Sequence, residues 1–192
     1  MDALLSALWL LQVAIQPHAQ VPMGATKSTQ QIDPARSGAR FTVHPLLQKA
    51  MTGTFDAPTG TLETLPKGRL RIDFSLKAAS VAFPDSKRIT GMTRSEAFFD
   101  AAHHPVVHFR SKPFSASLLR DGGTLSGVLD LRGVSKPVRF VFDKAACDQP
   151  GVACPIHAAG RISRSAFGMT RYKLVVGDNV DIVVDMRFRV SP

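Results

Sequence analysis

The amino-acid sequence predicts an all-β protein. Polar and apolar residues alternate along two long stretches, "RLRIDFSLKA" at 69–78 and "VDIVVDMRFRV" at 180–190, and a period of two is typical of strands with one buried face. Turns rich in Pro and Gly separate shorter stretches of the same kind, and no long amphipathic helix follows residue 30. These observations predict about eight to ten antiparallel strands in a sandwich or barrel. A short helix and a loop are expected near residues 85–97.

The inward faces of these strands are apolar. In the stretch 69–78 the outward positions hold Arg, Asp, Ser and Lys, whereas the inward positions are aliphatic or aromatic. Glycine and alanine interrupt several inward rows, which indicates sharp bending or open space behind the sheet. A barrel of about eight strands is either filled by its side chains or holds one small ligand. The predicted apolar ligand-binding residues are Leu70, Ile72, Phe74, Leu76, Val107, Phe109, Leu129, Val138, Phe140, Phe142, Ile182, Val184, Met186 and Phe188.

Composition and charge narrow the class of protein. The chain has 192 residues, 44% of them hydrophobic, which suits one domain with a sizeable core. The net charge is +9, and the basic residues are scattered along the chain. Such scattering favours a soluble protein with an arginine-rich surface. The alternative is attraction to anions, such as phosphate head groups, an anionic membrane surface in a peripheral contact, or nucleic acid.

The first residues predict a signal peptide. The stretch from Ala3 to Ile15 is apolar, suits the core of a signal peptide, and is too short to cross a bilayer comfortably. Asp2 stands where a basic residue is usual. We predict cleavage near Ala19, a flexible lead-in over residues 20–31 and one barrel domain over residues 32–192. The alternative is a buried N-terminal helix.

The two cysteines also favour export. Cys147 and Cys154 flank Pro150 and Gly151, which favour a turn that brings the cysteines together. In an oxidising compartment the pair would form a structural disulfide worth about 2–3 kcal/mol. The alternative, a zinc site, needs further ligands, because two cysteines do not complete a tetrahedral set.

Three histidines fall within six positions, at His103, His104 and His108. The strand pattern directs His108 outward, beside Arg110, and leaves the other two in the turn before the strand. We predict no metal site here, because Arg110 would repel a cation and no nearby carboxylate except Asp100 could complete a site.

The sequence lacks the features of an enzyme or of a nucleic-acid-binding protein. It contains no nucleophile elbow, metalloprotease motif, P-loop or dinucleotide-binding motif. Its acidic residues are sparse, and those within strands occupy outward positions. Aromatic residues interleaved with basic ones, which favour nucleic-acid binding, are missing. We therefore predict no catalytic residues, no cofactor and no nucleic-acid partner.

Several segments together resemble a known family. Their order is "IDPARSGARF", "GTFDAPTGTLE", "DFSLKAASV", "FFDAAHHPVVHFRS", "LSGVLDLRGVSKPVRF", "GRISRSAFGM" and "VGDNVDIVVDM". This order and spacing are similar to the YceI-like proteins from about Ile32 to Val190. The resemblance implies an extended antiparallel lipocalin-like β-barrel and export to the bacterial periplasm. It also implies that an apolar tunnel holds a long isoprenoid, such as a polyprenyl chain or a quinone tail.

The resulting hypothesis is a periplasmic protein that carries or sequesters an isoprenoid-type lipid or quinone. A second hypothesis is a non-enzymatic interaction protein with a filled barrel, whose basic surface binds an acidic partner or inhibits an enzyme. A third is an enzyme that modifies a lipid, for which the sequence offers no candidate residues. The oligomeric state is left open.

Overall fold

The described chain is a curled antiparallel sheet with two short helices. The computed structural model describes residues 28–47 and 49–189, so the predicted signal peptide lies outside the described residues. The strands are β1 (Thr29–Gln31), β2 (Gly38–Pro45), β3 (Met51–Phe55), β4 (Thr59–Thr64), β5 (Arg69–Lys77), β6 (Val106–Ser111), β7 (Phe114–Ser115), β8 (Gly123–Leu131), β9 (Val134–Phe142), β10 (Ile156–Ser163) and β11 (Val176–Met186). The helices are α1 (Lys87–Arg94) and α2 (Ser117–Asp121).

All strands belong to one sheet. Its order is β1-β4-β5-β6-β8-β9-β10-β11-β2-β3, with β7 paired to β5 outside this path, and these strands pair antiparallel. Neighbours in sequence are mostly neighbours in the sheet, as expected for strands joined by short turns. The strands twist and curl, so their inward faces surround a common apolar core.

One edge of the sheet, at β3, is extended by the segment that follows β5. Thr54 of β3 and Ala82 exchange two backbone hydrogen bonds of 2.9 Å. The helix α1 follows Ser86, its N-cap, whose hydroxyl accepts a hydrogen bond from the amide of Ile89 at 3.2 Å. The Arg94 guanidinium donates two hydrogen bonds to the carbonyl of Val81. These contacts fix α1 to the segment that follows β5 and fix that segment to β3.

One end of the barrel is closed by the backbone around Ile32 and Phe188 and by the disulfide loop. Ile32 bridges Phe188 just beyond β1 and β11, and the Phe188 amide donates to the carbonyl of Gly151 at 2.7 Å. Cys147 and Cys154 are disulfide-bonded, with their Cα atoms 6.0 Å apart. We call this the closed end.

Glycines on the inward face make room for phenylalanine rings. A Cβ atom on Gly127 would lie 2.4 Å from Cε2 of Phe109, and one on Gly160 would lie 2.7 Å from Cδ1 of Phe140. Both separations are shorter than any van der Waals contact. The expectation of open space behind these glycines is therefore wrong at these positions, because aromatic rings from neighbouring strands fill it.

The predicted fold class is confirmed. The stretch predicted at 69–78 is β5, and the helix expected near residues 85–97 is α1. The stretch predicted at 180–190 lies in β11 only up to Met186, where the strand ends, and β11 begins earlier, at Val176. The structure adds β1 inside the predicted lead-in and the short elements β7 and α2. No helix within residues 28–47 and 49–189 is long and apolar enough to span a membrane.

Candidate apolar ligand site

The curled sheet surrounds a cavity. The volume open to the centre of a water-sized sphere is about 130 Å³, roughly ten times what a single water requires. Nine phenylalanines are among its lining residues, and among the described residues only Arg40, Thr93 and Arg164 are polar members of the lining. Arg40 is exposed and pairs with Asp185 at 3.0 Å. The space therefore suits a hydrocarbon rather than a polar molecule.

Eleven of the fourteen predicted ligand-binding residues line this cavity. Strands β5, β6, β8, β9 and β11 each contribute at least one of them, because alternation directs one side chain in two inward. The eleven are Ile72, Phe74, Leu76, Val107, Phe109, Leu129, Phe140, Phe142, Ile182, Val184 and Met186. Their role in binding stays a prediction.

The other three predicted residues lie away from the cavity. Leu70 is opposite Phe114 of β7, at the start of β5, and Phe188 is buried beyond the end of β11 against Gly151. Val138 is half-buried and lines a groove elsewhere on the protein. It lies in the part of β9 that has separated from β10, since those two strands pair only at residues 140–142 of β9. An inward position in a strand therefore does not by itself place a residue in the cavity.

Several lining residues were missing from the sequence-based prediction. Phe41 of β2 and Phe55 of β3 complete the wall opposite β5, and their rings are 5.5 Å apart. Phe98 and Phe99 reach the cavity from the irregular segment after α1. The alternation of Ala39, Phe41 and Val43 with polar neighbours was an available signal for β2. No periodicity marks the irregular segment.

The most unusual lining residue is Arg164, just after β10. Only 2% of its surface is exposed, and its guanidinium donates hydrogen bonds to four backbone carbonyls, those of Met169, Arg171, Val176 and Gly177. Among the described residues, none of the ion pairs involves this guanidinium. Burial lowers the pKa of Arg164, although Asp178 acts in the opposite direction. Arg164 therefore holds the loop 169–177 against the barrel.

The cavity has a mouth at the end opposite the disulfide. The lining residues there keep part of their surface exposed, namely Val43, Met51, Ile89, Met92, Phe98 and Val176. Phe98 stacks on Tyr172, with ring centroids 5.9 Å apart and planes 4° from parallel, and the Arg164 Cζ lies 6.0 Å from the Phe98 centroid. We call this the open end. The tip of the β2–β3 hairpin, α1 and the loop 169–177 surround it.

The three histidines all lie outside the cavity lining. His103 contacts Asp100 at 2.8 Å, and this hydrogen bond raises the pKa of His103. His108 points outward, as predicted, and its Nε2 lies 2.8 Å from Asp73. The expectation that only Asp100 could supply a carboxylate is wrong, because pairing of β6 with β5 and β8 brings Asp73 and Asp130 beside His108.

The part of the chain that the structure describes contains no group of three or more His, Cys, Asp or Glu residues that could hold a metal ion. No acidic residue in that part lines the cavity either. The ionisable lining residues of that part are Arg40 and Arg164, and a guanidinium does not lose its proton in proteins.

An antiparallel sheet curled around one apolar cavity defines a lipocalin-like barrel. Residues 30–188 match the family model described as YceI-like domain. The chain belongs to the YceI-like family.

Solved structures with the same fold share little sequence with this chain. BcnA from Burkholderia cenocepacia is 20% identical, with a TM-score of 0.66 over 81% of this chain and 98% of BcnA. A polyisoprenoid binding domain from Saccharophagus degradans, implicated in plant cell wall breakdown, is 14% identical, with a TM-score of 0.63 over 86% of this chain and 99% of that domain. A YceI protein from Campylobacter jejuni is 20% identical, with a TM-score of 0.59 over 76% of this chain and 89% of that protein. No curated protein matches the chain. At these identities the likeness establishes the fold.

Proposed function

We propose that the cavity binds the apolar tail of an isoprenoid-type lipid or quinone, and that the protein carries or sequesters this molecule without catalysis. The observation that carries the proposal is the continuous apolar lining of the barrel interior. The description of the Saccharophagus degradans domain as polyisoprenoid binding supports it by analogy of fold.

Burial alone can supply the affinity. Each buried methylene contributes about 0.8 kcal/mol, so a five-carbon isoprene unit contributes roughly 4 kcal/mol. Association costs about 4–15 kcal/mol in lost freedom of motion and side-chain ordering. About four units would therefore exceed this cost. The alternative of a filled barrel receives no support, because the described interior contains a cavity.

We also propose export to the periplasm, with cleavage near Ala19. The disulfide between Cys147 and Cys154 supports export, because such bonds persist in oxidising compartments. The apolar segment on which the predicted signal peptide depends lies outside the described residues.

Two adjacent alanines on β10 allow a matched test. Ala158 is buried and lines the cavity, whereas Ala159 pairs with Val141 and Val183 on the outer face. The variant Ala158→Leu narrows the cavity, and Ala159→Leu adds the same atoms outside. Each protein is purified from the periplasm, extracted with organic solvent and analysed by mass spectrometry. Separately, each is titrated with geranylgeraniol.

The expected result is an isoprenoid-type molecule in wild type and Ala159→Leu, and a marked reduction in Ala158→Leu. Circular dichroism checks that both variants fold. A wild-type protein that yields no lipid and does not bind geranylgeraniol would overturn the proposal. Equal retention in the two folded variants would also contradict it, because the site would then lie elsewhere.

A further inference from the structure

Exposed apolar side chains are concentrated beside the mouth of the cavity. Nine large hydrophobic side chains of the described residues are well exposed. Five of them lie in two loops, which we call the rim loops, at residues 45–47 together with 49 and at residues 169–177. The five are Leu46, Leu47, Tyr172, Leu174 and Val175. Leu47 is 93% exposed and Leu174 is 89% exposed, so these two side chains make almost no contact with the rest of the protein. Such a concentration marks an interaction surface.

The two rim loops are joined to each other. The Leu46 amide donates a hydrogen bond to the carbonyl of Val175 at 3.0 Å, and Pro45 is paired with Val176. The amides of Val175 and Val176 both donate to the carbonyl of Tyr172. The exposed leucines are therefore presented by an ordered backbone.

The rim loops are also part of the wall of the cavity. Val176 lines the cavity, and its carbonyl accepts a hydrogen bond of 2.9 Å from Arg164. Tyr172 stacks on Phe98, which lines the mouth. A surface that covers the rim loops would therefore lie directly over the opening.

The charge of this surface is positive. Lys49, Arg171 and Lys173 are exposed within the rim loops, and neither residues 45–49 nor residues 169–177 include an acidic residue. The helix α1, on the other side of the mouth, contains basic residues and no acidic ones. The nearest acidic residues in sequence are Asp85, Glu96 and Asp178, and the last of these accepts hydrogen bonds from Ser163 and Ser165.

We propose that the rim loops dock the open end of the barrel onto an anionic lipid bilayer. Exposed leucines enter the boundary between head groups and acyl chains, while lysine and arginine contact the phosphates. The mouth then faces the membrane, and an apolar tail passes between membrane and cavity without crossing water. The purpose of docking rests on the proposed function, but docking itself is measured independently of any ligand in the cavity.

Vesicle flotation tests the apolar part of the surface. The wild type should float with vesicles of phosphatidylcholine and phosphatidylglycerol, and bind more weakly to phosphatidylcholine alone. The double variant Leu47→Ser/Leu174→Ser should bind the mixed vesicles at least about tenfold more weakly. The matched control is Val128→Ser/Val141→Ser, which removes two exposed apolar side chains from the barrel wall. It should bind like the wild type.

A charge-reversal pair tests the electrostatic part. Lys49→Glu/Lys173→Glu should weaken binding to the anionic vesicles and reduce its dependence on salt, because each basic group near an anionic surface contributes to attraction. The control is Lys67→Glu/Lys144→Glu, which changes the net charge equally at exposed positions outside the rim loops. Melting temperatures confirm that all four variants fold.

Three outcomes would overturn the docking proposal. They are absence of wild-type binding to anionic vesicles, equal losses in rim and control variants, and a dimer in light scattering that the rim variants dissociate without any change in vesicle binding. None of the four altered rim residues lines the cavity, so the rim variants should retain co-purified lipid. A protein that floats with vesicles but never contains lipid would refute the proposed function and leave the docking surface intact.

Discussion

Removal of the buried guanidinium of Arg164 should destabilise the protein far more than removal of a neighbouring surface arginine. The variant Arg164→Met keeps most of the apolar stem and deletes the donors. It leaves the carbonyls of Met169, Arg171, Val176 and Gly177 without their partner. An unsatisfied buried polar group costs about 1–3 kcal/mol.

The net loss should be smaller than four such penalties. Water can reach part of the loop 169–177, whose outer residues are exposed. The variant also avoids the free-energy cost of burying the charged guanidinium of Arg164. If about two of the four carbonyls find no replacement partner, the loss is about 2–6 kcal/mol. For a domain of this size that corresponds to a decrease in Tm of roughly 4–24 °C.

The matched control is Arg161→Met, three residues earlier on β10. Arg161 is exposed and makes one ion pair with Asp181 at 2.6 Å. An exposed pair contributes about 1 kcal/mol or less. Urea unfolding monitored by circular dichroism gives the free energy of unfolding of each variant. If Arg164→Met loses no more stability than Arg161→Met, the guanidinium does not hold the loop, and the reasoning fails.

Three further predictions concern the disulfide, the histidines and low pH. Replacing Cys147 and Cys154 by Ser should lower Tm by several degrees, because closing so short a loop contributes about 2–3 kcal/mol; two reactive thiols in native exported protein would contradict the bond. Changing His103, His104 and His108 together to Asn should leave Tm and lipid content nearly unchanged. Stoichiometric zinc bound by the wild type but not by this triple variant would contradict the prediction. The hydrogen bond from Ser163 lowers the pKa of Asp178 below its ordinary value of 3.8, so its contribution to stability is present above that pH and is lost as pH falls below it. The difference in unfolding free energy between wild type and Asp178→Asn should therefore shrink in acid, and a difference that grows there would be inconsistent with this pairing.

The strands of the barrel were predictable because alternation is a local property of the sequence. In β5, each inward residue from Leu70 to Leu76 is buried and each outward residue keeps some exposure. Sheet order is not local, and it decides which inward residues meet around the cavity. Val138 shows the difference, because β9 pairs with β10 only at residues 140–142 and has separated from it at Val138.

The missed parts of the site have different physical causes. Phe98 and Phe99 lie in irregular backbone, where no period relates sequence to direction. Arg164 belongs to a residue type that is rarely buried, so its sequence gives no reason to place it inside. Its burial depends on a loop that returns after residue 168 and supplies four carbonyls, and such a loop is visible only in three dimensions.

The two ends of the barrel are built differently, and the difference bears on how a ligand would enter. The closed end combines the Ile32–Phe188 bridge with the disulfide loop, and a Cβ atom on Gly151 would collide with the Phe188 ring. At the open end the wall is the loop 169–177, which one guanidinium holds through hydrogen bonds rather than a covalent link. Hydrogen bonds open locally at far lower cost than a disulfide breaks. On the proposed function, an apolar tail therefore enters beside Arg164, and its polar head stays at the mouth, next to the rim loops.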